Sequence, residues 1–456
     1  MQELSLSEIA HALGCHTNVT GAVTAIVTDS RAASPGTLFV AIVGDHLDGN
    51  DFASDALAKG APLVVVSRLT QGVDPDRALV VNDTKRALIA IGGAYRAKFS
   101  LPIVGVTGSV GKTTTKEFVY AVLSARYHTH KNEGNQNNEL GVPNTLFGLT
   151  PKHEVAVVEL GMSGPGEIHD LAMAVRPSVG VITAIGVSHI EQLGSRENIL
   201  KAKLELLDAL PADAPLFVCG DNDLLAPLVS ESVHIYRYGI TNAVCDLRAS
   251  SIEQQGNITR FEIDSPWGKH AAVIPTVGQH NVLDALAAFG VGCVMGVEPE
   301  KAAAALKNYQ STGMRQKVEL CRGCTVVEDC YNASPDSLRA AILALAAYPC
   351  EGRRILVLSD MLELGRDSPK LHRECGAFAA RQGIDLLLAC GELSLNTIEG
   401  AEEAGLVRSL YYTDKKTLAE GLLQAARTGD VVWFKASRAM ELEDVIARFY
   451  QGGDEQ

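Results

Sequence analysis

A glycine-rich turn followed by lysine and threonine carries the strongest chemical signal in the sequence. The segment Thr107–Thr113 reads TGSVGKT and follows the apolar run Ile103–Val106. Backbone amides in such a turn converge on a phosphate, and the N-terminus of the next helix adds positive potential. Lys112 would reach the outer phosphates, and the Thr113 hydroxyl would bind Mg²⁺. The strict G-x4-G-K spacing is not met, so an ordinary turn with an exposed lysine is the alternative.

Two further candidate metal ligands follow predicted strands. Glu159 ends the apolar run Val155–Val158, and His189 lies in the loop after a run that ends at Thr183. Side chains at the carboxyl edge of a parallel sheet point into a ligand crevice, so both are candidates to hold Mg²⁺. The alternatives are a solvated acid at a strand end and a structural histidine, since a lone histidine is a weak signal.

Lys203 lies on the apolar side of a predicted helix. In the segment Glu197–Leu210, ENILKAKLELLDAL, the isoleucine and four leucines project to the same helix face as Lys203, whereas Lys201 projects to the opposite face. Such a lysine can extend its amine to the surface. Otherwise it is buried, and its amine has a lowered pKa and a chemical role.

The order of apolar runs and helical stretches predicts the elements that position these residues. Strand, glycine turn and helix alternate from Ile103 onward and again from Thr325, which predicts two parallel sheets covered on both faces. Residues Cys245–Ile263 interrupt the first series as a hairpin that turns at Gly256–Asn257. Four short strand candidates and two predicted helices precede both sheets. The helices cover Asp51–Lys59 and Thr84–Lys98.

We therefore predict three α/β domains. The breaks fall at Phe99–Pro102 and at Ser311–Met314, which gives domains at residues 1–100, 101–312 and 313–456. The first would be a small mixed α/β domain, the second a P-loop ATPase-type parallel sheet and the third a Rossmann-like doubly wound sheet. A chain of 456 residues is long enough for three such domains.

Charge and cysteine usage exclude several classes of protein. The formal net charge of −14 argues against a basic nucleic-acid-binding surface. The apolar stretches are too short to span a bilayer, and no basic region followed by an apolar run opens the chain, so we expect no membrane insertion. Ten scattered cysteines are typical of reduced thiols in the cytoplasm, with zinc at Cys321 and Cys324 as the weaker alternative.

Together, in this order, the motifs resemble the Mur ligase family of ATP-dependent amide-forming enzymes. The resemblance covers essentially the whole chain. It is carried by the phosphate loop, Glu159, His189 and Lys203 and by eight further segments: Thr28–Arg31, Pro35–Ala41, Asp48–Phe52, Gly134–Pro143, Gly278–Asn281, Met314–Arg315 with Glu328–Pro335, Leu358–Gly365 and Lys435–Arg438.

The resemblance implies that the chain binds ATP and Mg²⁺. Asn281 would contact the adenine, Asp329 the ribose and Arg315 a phosphate. Two Mg²⁺ ions would be held by Thr113, Glu159 and His189, and CO₂ would convert Lys203 to a carbamate beside the second ion. The full ATP set would be Thr107, Gly108, Ser109, Val110, Gly111, Lys112, Thr113, Thr114, Asn281, Arg315, Asp329 and Asn332.

The resemblance also implies the reaction. The sequence is similar to the type of Mur ligase that joins the tripeptide carboxylate of UDP-N-acetylmuramoyl-tripeptide to D-alanyl-D-alanine through an acyl phosphate. The resemblance implies a cytoplasmic monomer that makes peptidoglycan precursors. Lys112, Glu159, His189 and Lys203 would be the catalytic residues. The substrate-binding set would be Ser30, Arg31, Asp48, Gly49, Asn50, Phe52, Asn135, Asn137, Asn138, Asp360, Lys435 and Arg438.

Three departures from the family pattern leave the reacting groups intact. Asp284 and Ser334 stand where asparagine is usual, and Ser359 stands where glycine is usual. The DNPR-like stretch of the relative that adds a diamino acid is absent, which favours a dipeptide as the incoming substrate. The alternatives are a related ligase that adds a diamino acid and a P-loop nucleotide-binding protein without ligase activity.

Overall fold

The computed structural model describes residues 1–44 and 46–452, and the strands within these ranges form four sheets. Residues 453–456 of the predicted third domain and Asp45 of the first lie outside the described residues. Within the described part, no helix combines the length and apolar character that a membrane crossing requires. All ten cysteines lie in the described ranges and are free thiols, including Cys321 and Cys324, which face each other across a hairpin.

The amino-terminal part forms two small sheets. A four-stranded parallel sheet has the order β3-β4-β5-β6, and a two-stranded antiparallel sheet joins β1 to β2. The elements are β1 (Leu4–Ser5), α1 (Leu6–Ala12), β2 (Ala22–Val23), β3 (Ala25–Val27), β4 (Thr37–Val40), α2 (Ala53–Ala58), β5 (Leu63–Val66), β6 (Ala78–Val80) and α3 (Thr84–Arg96).

The central part is built on a nine-stranded sheet of order β15-β14-β13-β12-β11-β10-β7-β9-β8. It is parallel from β8 to β13 and antiparallel at β14 and β15. The elements are β7 (Ile103–Thr107), α4 (Lys112–Leu123), β8 (Thr129–Lys131), α5 (Gly141–Phe147), β9 (Val155–Glu159), α6 (Glu167–Val175), β10 (Val179–Ile182), α7 (Ile190–Leu193), α8 (Arg196–Leu204), β11 (Ala214–Cys219), β12 (Val233–Gly239), β13 (Leu247–Gln255), β14 (Ile258–Ser265), β15 (Gly268–Ile274), α9 (Gln279–Val294) and α10 (Pro299–Ala305).

The carboxyl-terminal part is built on a six-stranded sheet of order β16-β17-β21-β18-β19-β20. Only β16 is antiparallel to its neighbour, and separate apolar cores cover the two faces, as in a doubly wound fold. The elements are β16 (Lys317–Cys321), β17 (Cys324–Glu328), α11 (Pro335–Ala347), β18 (Arg354–Leu358), α12 (Ser368–Arg381), β19 (Leu386–Cys390), α13 (Ser394–Glu403), β20 (Ser409–Tyr412), α14 (Lys415–Ala425), β21 (Val431–Lys435) and α15 (Glu443–Gln451).

The amino-terminal helices share their core with the central sheet. One apolar cluster extends from Leu4 to Tyr309. Tyr95 of α3 is fully buried in it, packs edge-on against Phe147 and donates a hydrogen bond to the carbonyl oxygen of Leu149 at 2.8 Å. The first part of the chain is therefore anchored to the second by burial of apolar surface, which is the dominant stabilising contribution in folding.

The three-part α/β fold is confirmed, as is the hairpin that turns at Gly256–Asn257. The predicted helix over Glu197–Leu210 is wrong in its second half. The α-helix ends at Leu204, and a 3₁₀ turn over Glu205–Ala209 follows. A projection at a constant helical period therefore does not hold beyond Leu204. The boundaries of the three domains stay a prediction.

Candidate active site

The phosphate loop connects β7 to α4 and needs glycine at two positions. Gly108 and Gly111 have φ of 147° and 85°, in the region that side chains disfavour. A Cβ at Gly111 would lie 2.6 Å from Asp284 Oδ1, and one at Gly108 would overlap the Thr183 hydroxyl. The loop backbone therefore packs tightly against its supports, which keeps its amides at the N-terminus of α4.

Lys112 begins α4 and lies over this loop. Its Nζ donates a hydrogen bond to the carbonyl oxygen of Gly108 at 2.9 Å. Burial lowers the pKa of Lys112, with Glu159 opposing the shift and Arg315 adding to it. The loop lysine is thus held among backbone groups, at the place where a phosphate would lie.

Glu159 is brought against the phosphate loop by the sheet. It pairs with Val106 across β9 and β7, so both strands end at the same edge. Its side chain is 1% exposed, and its two carboxylate oxygens accept hydrogen bonds from Thr113 Oγ1 at 2.8 Å and from Asn137 Nδ2 at 2.7 Å. The hydroxyl and the carboxylate predicted to bind the metal are therefore in direct contact.

Lys203 is buried and Lys201 is exposed, as the helix projection predicts for this part of α8. The Lys203 side chain is 1% exposed, and its Nζ has no hydrogen-bond partner among the described residues. Burial, together with the charge of Lys112, lowers its pKa well below the ordinary value, although Glu167 and Glu159 oppose the shift. The lowered pKa favours the neutral amine, which is the form that reacts with CO₂.

His189 lies in the loop between β10 and α7 with a positive φ of 62°. Burial, followed by the charges of Lys112 and Lys203, lowers its pKa to about 4, so the imidazole is neutral near pH 7. Its Nδ1 lies 2.8 Å from Oε2 of Glu363, which belongs to the carboxyl-terminal sheet region. Nδ1 makes no hydrogen bond to a described residue, so the neutral imidazole remains available as a metal ligand.

These donors fit a magnesium site that phosphate completes. Among the described residues, no group of three or more histidine, cysteine and carboxylate side chains is arranged to hold a metal ion by itself. Mg²⁺ is usually bound through one or two carboxylates, substrate phosphates and water. Thr113 and Glu159 provide such a partial site, and the unpartnered amine of Lys203 fits conversion to a carbamate.

Two adjoining clefts open at the phosphate loop. The first, of about 330 Å³, contains most of the predicted catalytic side chains, and the second, of about 280 Å³, lies on the far side of Val110 and Gly111. Predicted site residues in the first cleft are Ser109, Val110, Gly111, Lys112, Thr113, Asn137, Asn138, Glu159, His189, Arg315, Asn332 and Lys435. Those in the second are Val110, Gly111, Thr114, Asn281, Arg315, Asp329 and Lys435.

Arg315 and Lys435 join the two clefts from the carboxyl-terminal side. The guanidinium of Arg315 lies 3.9 Å above the ring of Tyr331, a cation–π geometry that fixes its direction. Lys435 Nζ donates to the carbonyl oxygen of Asn332 at 2.9 Å and lies 3.1 Å from Asp329 Oδ2. Both cations therefore face the phosphate loop from across the clefts.

Several predicted substrate residues lie elsewhere. Arg31 pairs with Asp29 at 2.6 Å, and Asp48 pairs with Arg68 at 2.7 Å on the amino-terminal sheet. Asp360 is buried and accepts hydrogen bonds from Ser394. In the described part of the chain, neither cleft is lined by the predicted residues Ser30, Arg31, Asp48, Gly49, Asn50, Phe52, Thr107, Gly108, Asn135, Lys203, Asp360 and Arg438.

Thr107, Gly108 and Lys203 do not line either cleft in the described structure, although Thr107 and Gly108 belong to the phosphate loop. Thr107 is fully buried and donates to the carbonyl oxygen of Leu160 at 2.9 Å. Arg438 is exposed and pairs with Glu443. An open groove of about 580 Å³ between α1, α3 and α6, larger than either cleft, contains none of the predicted site residues within the described ranges.

Three residues around the site were outside the predicted catalytic, ATP-binding and substrate-binding sets, although Asp284 is one of the departures from the family pattern and Glu363 lies in the segment Leu358–Gly365 that carries the resemblance. Asp284 contacts the loop at Gly111. Burial raises the pKa of Asp284 to about 8, although the hydrogen bond that it accepts from Thr115 opposes this shift. Glu363 reaches His189 from the carboxyl-terminal part. Lys116 lies one turn after Lys112 on the same helix face, and that i, i+4 spacing was a signal in the sequence.

Comparison with known proteins matches all three parts of the chain. The Mur ligase family catalytic domain matches residues 22–93, the Mur ligase middle domain residues 106–292, and the Mur ligase glutamate ligase domain residues 314–438. The chain is 38% identical over 424 residues, 92% of each protein, to the UDP-N-acetylmuramoyl-tripeptide–D-alanyl-D-alanine ligase of Bacillus subtilis strain 168. It is 34% identical over 436 residues, 94% of each, to the ligase of the same name from Escherichia coli K12.

Solved structures give the same result. MurF from Acinetobacter baumannii superposes with a TM-score of 0.90 at 28% identity, over 99% of both chains. MurF ligase from Thermotoga maritima in complex with ADP superposes with a TM-score of 0.84 at 29% identity, over 93% of this chain and 97% of that one. From the sequence matches and the arrangement around the phosphate loop, the chain belongs to the Mur ligase family.

Proposed function

We propose that the chain is an ADP-forming ligase that joins the tripeptide carboxylate of UDP-N-acetylmuramoyl-tripeptide to the amine of D-alanyl-D-alanine, in peptidoglycan precursor synthesis. The observation that carries the proposal is the cleft at the phosphate loop in which Lys112, Glu159 and His189 lie together, with the buried Lys203 close enough to Lys112 and Glu159 for their charges to affect its pKa. The names of the relatives that match nine-tenths of the chain support the choice of substrates.

The first chemical step is the activation of a carboxylate. The tripeptide carboxylate attacks the γ-phosphorus of ATP in line, the bond to the bridging oxygen breaks, and ADP leaves. Lys112 and Arg315 both line the first cleft, where they would neutralise the charge that develops on the oxygens of the transferred phosphoryl group. Mg²⁺ held by Thr113, Glu159 and His189 would add Lewis-acid stabilisation of the same charge.

The second step forms the amide. The free amine of D-alanyl-D-alanine attacks the acyl carbon, inorganic phosphate leaves, and the amine loses a proton. Positioning contributes most here, because the two reactants meet inside one cleft. We place the dipeptide on the carboxyl-terminal side, near Asn332 and Lys435, and the uridine end toward residues 28–52 of the amino-terminal part.

Lys203 would act as an anion rather than as a base. Its neutral amine reacts with CO₂ to give a carbamate and one proton, which replaces an uncharged buried group with an anion. The unpartnered Nζ and the lowered pKa support this assignment. The carbamate would hold a second Mg²⁺ together with Glu159 and His189.

We propose three domains, at residues 1–100, 101–312 and 313–456, that act within a monomer in the cytoplasm. Each of the three larger sheets lies within one of these ranges. Ten free thiols are consistent with a reducing compartment.

The test is phosphate release from ATP with UDP-N-acetylmuramoyl-tripeptide, with and without D-alanyl-D-alanine. We expect stoichiometric release of ADP and phosphate only when both substrates are present. A competition at equal concentrations of D-alanyl-D-alanine, D-alanine, L-lysine and meso-diaminopimelate tests the incoming group. Incorporation of a diamino acid would assign the chain to a related ligase, and ATP turnover without amide formation would indicate a nucleotide-binding protein of another kind.

A further inference from the structure

The helix after the phosphate loop contains a second buried lysine, Lys116. It lies one helical turn after Lys112, and its side chain is 0% exposed. Its Nζ donates hydrogen bonds to the carbonyl oxygens of Asn132 at 2.8 Å and Gly134 at 3.3 Å, and it lies 3.1 Å from Oε1 of Glu117. A buried ammonium group is tolerated only when it is paired and hydrogen-bonded, so these acceptors determine where it lies.

The segment that accepts these hydrogen bonds, residues 132–138, encloses Glu159. Asn132 is 1% exposed, its Oδ1 accepts from the amide of Glu159 at 3.0 Å, and its Nδ2 donates to the Glu159 carbonyl oxygen at 3.2 Å. Asn137 donates to the Glu159 carboxylate at 2.7 Å, and its carbonyl oxygen accepts from the amide of Gly161 at 2.7 Å. The segment therefore holds both the backbone and the carboxylate of Glu159.

We propose that Lys116 is a positioning residue: its ammonium group holds residues 132–138 in the conformation that orients Glu159 and presents Asn137 and Asn138 to the first cleft. Lys116 reaches the chemistry only through these residues, since within the described chain it lines neither cleft. The consequence for catalysis rests on the proposed function. The anchoring of residues 132–138 by Lys116 does not depend on that function.

The need to neutralise the charge of Glu117 does not by itself explain why Lys116 is buried beside it. Glu117 is 4% exposed and already pairs with a second cation, Lys131, whose side chain is 15% exposed and also lies over the ring of Tyr120. Lys131 shares Glu117 with Lys116, but its ammonium group is not directed at the carbonyl groups of residues 132–138 in the described structure. Lys131→Met is therefore a matched control, because it removes a cation from the same carboxylate and leaves the segment anchored.

The experiment measures hydrogen–deuterium exchange in the unliganded full-length protein and then the magnesium dependence of the ligase. In Lys116→Met we expect faster exchange of the amides of residues 132–138, with the carboxyl-terminal sheet unchanged. The half-saturating Mg²⁺ concentration should rise and kcat/KM for the UDP-linked tripeptide should fall, each by about 10–100-fold. ADP affinity measured without Mg²⁺ should stay within about twofold, and Lys131→Met should match the wild type in exchange at residues 132–138 and in magnesium dependence.

Loss of a buried cation can also prevent folding. If Lys116→Met does not fold, the double variant Lys116→Met/Glu117→Gln, which neutralises both members of the pair, is measured in the same way. Unchanged exchange at residues 132–138, faster exchange across the whole chain, or failure of both variants to fold would overturn the proposal. A wild-type protein without ligase activity would refute the proposed function while the exchange result still decides the anchoring.

Discussion

The buried amine of Lys203 allows stability and activity to be separated in one variant. An unpaired buried donor costs about 1–3 kcal/mol relative to a satisfied one. Lys203 is such a donor, because the residue is 1% exposed and its Nζ has no hydrogen-bond partner in the described part of the chain. Lys203→Met keeps the length of the side chain and removes the polar atom. We therefore expect its Tm, measured without Mg²⁺ and bicarbonate, to equal or exceed that of the wild type.

The same variant should have almost no ligase activity. Loss of one charged group that stabilises the transition state typically lowers kcat by about 10²–10³. In Lys203→Ala the side-chain volume becomes free, so formate or acetate should enter and partly restore phosphate release by replacing the carbamate anion. Lys201→Ala is the matched control, because Lys201 lies two residues away on the exposed face of the same helix. It should remain within about twofold of wild-type kcat/KM.

A direct measurement decides whether the amine is modified. Wild-type protein equilibrated with carbon-13 bicarbonate should give a carbamate signal in the NMR spectrum that Lys203→Met lacks. The lowered pKa of Lys203 increases the neutral fraction of the amine, so the signal should appear at a lower pH than for an exposed lysine. An active Lys203→Met variant, together with no difference between the two spectra, would refute the reasoning.

The parts of the fold that were predicted are those that a local pattern specifies. The strands that flank the phosphate loop are continuous apolar runs, because a parallel strand covered on both faces is buried at every position. The Gly256–Asn257 turn between two alternating runs predicted its hairpin for a similar local reason. The burial of Lys203 was predictable only in part, because Ile199 and Leu200 lie on the same helix, whereas the leucines after Leu204 lie in the 3₁₀ turn or directly after it.

The strands that were missed lie at sheet edges or are half-exposed. Strand β8 (Thr129–Lys131) has three intermediate positions and no apolar residue. Strand β20 (Ser409–Tyr412) also lies at an edge and is only partly buried. An edge strand pairs on one side, so its sequence is under weaker selection for apolar character, and pairing with a distant strand cannot be read from the segment alone.

Contacts between segments that are far apart in the sequence could not be predicted either, because they depend on how the elements pack. Glu363 meets His189 only because loops of two sheets are folded against one another, and Lys116 holds Asn132 only because α4 packs beside the end of β8. Spacing along the chain identifies residues at one strand end, whereas the partner depends on sheet order and on packing between domains. The catalytic lysines could be found from the sequence, but the groups that orient them could not.

Three further predictions test the surroundings of the phosphate loop. Lys112→Ala should fold, with an unchanged circular dichroism spectrum, but lose ATP turnover, and near-normal turnover and ATP affinity would contradict its role. Tyr331→Leu should raise KM for ATP roughly three- to tenfold by removing about 1 kcal/mol of cation–π support from Arg315, whereas Tyr331→Phe should not. Asp284→Asn tests the raised pKa of Asp284 at about 8. A folded-state pKa above the ordinary value near 4 means that the folded protein retains a proton that the unfolded chain releases, so the contribution of Asp284 to stability is present below pH 4 and is lost as pH rises through 8. The difference in free energy of unfolding between Asp284→Asn and the wild type, measured by urea titration, should therefore grow in favour of the variant from pH 5 to pH 8, and a difference that stays constant over this range would show that Asp284 is ionised in the folded protein.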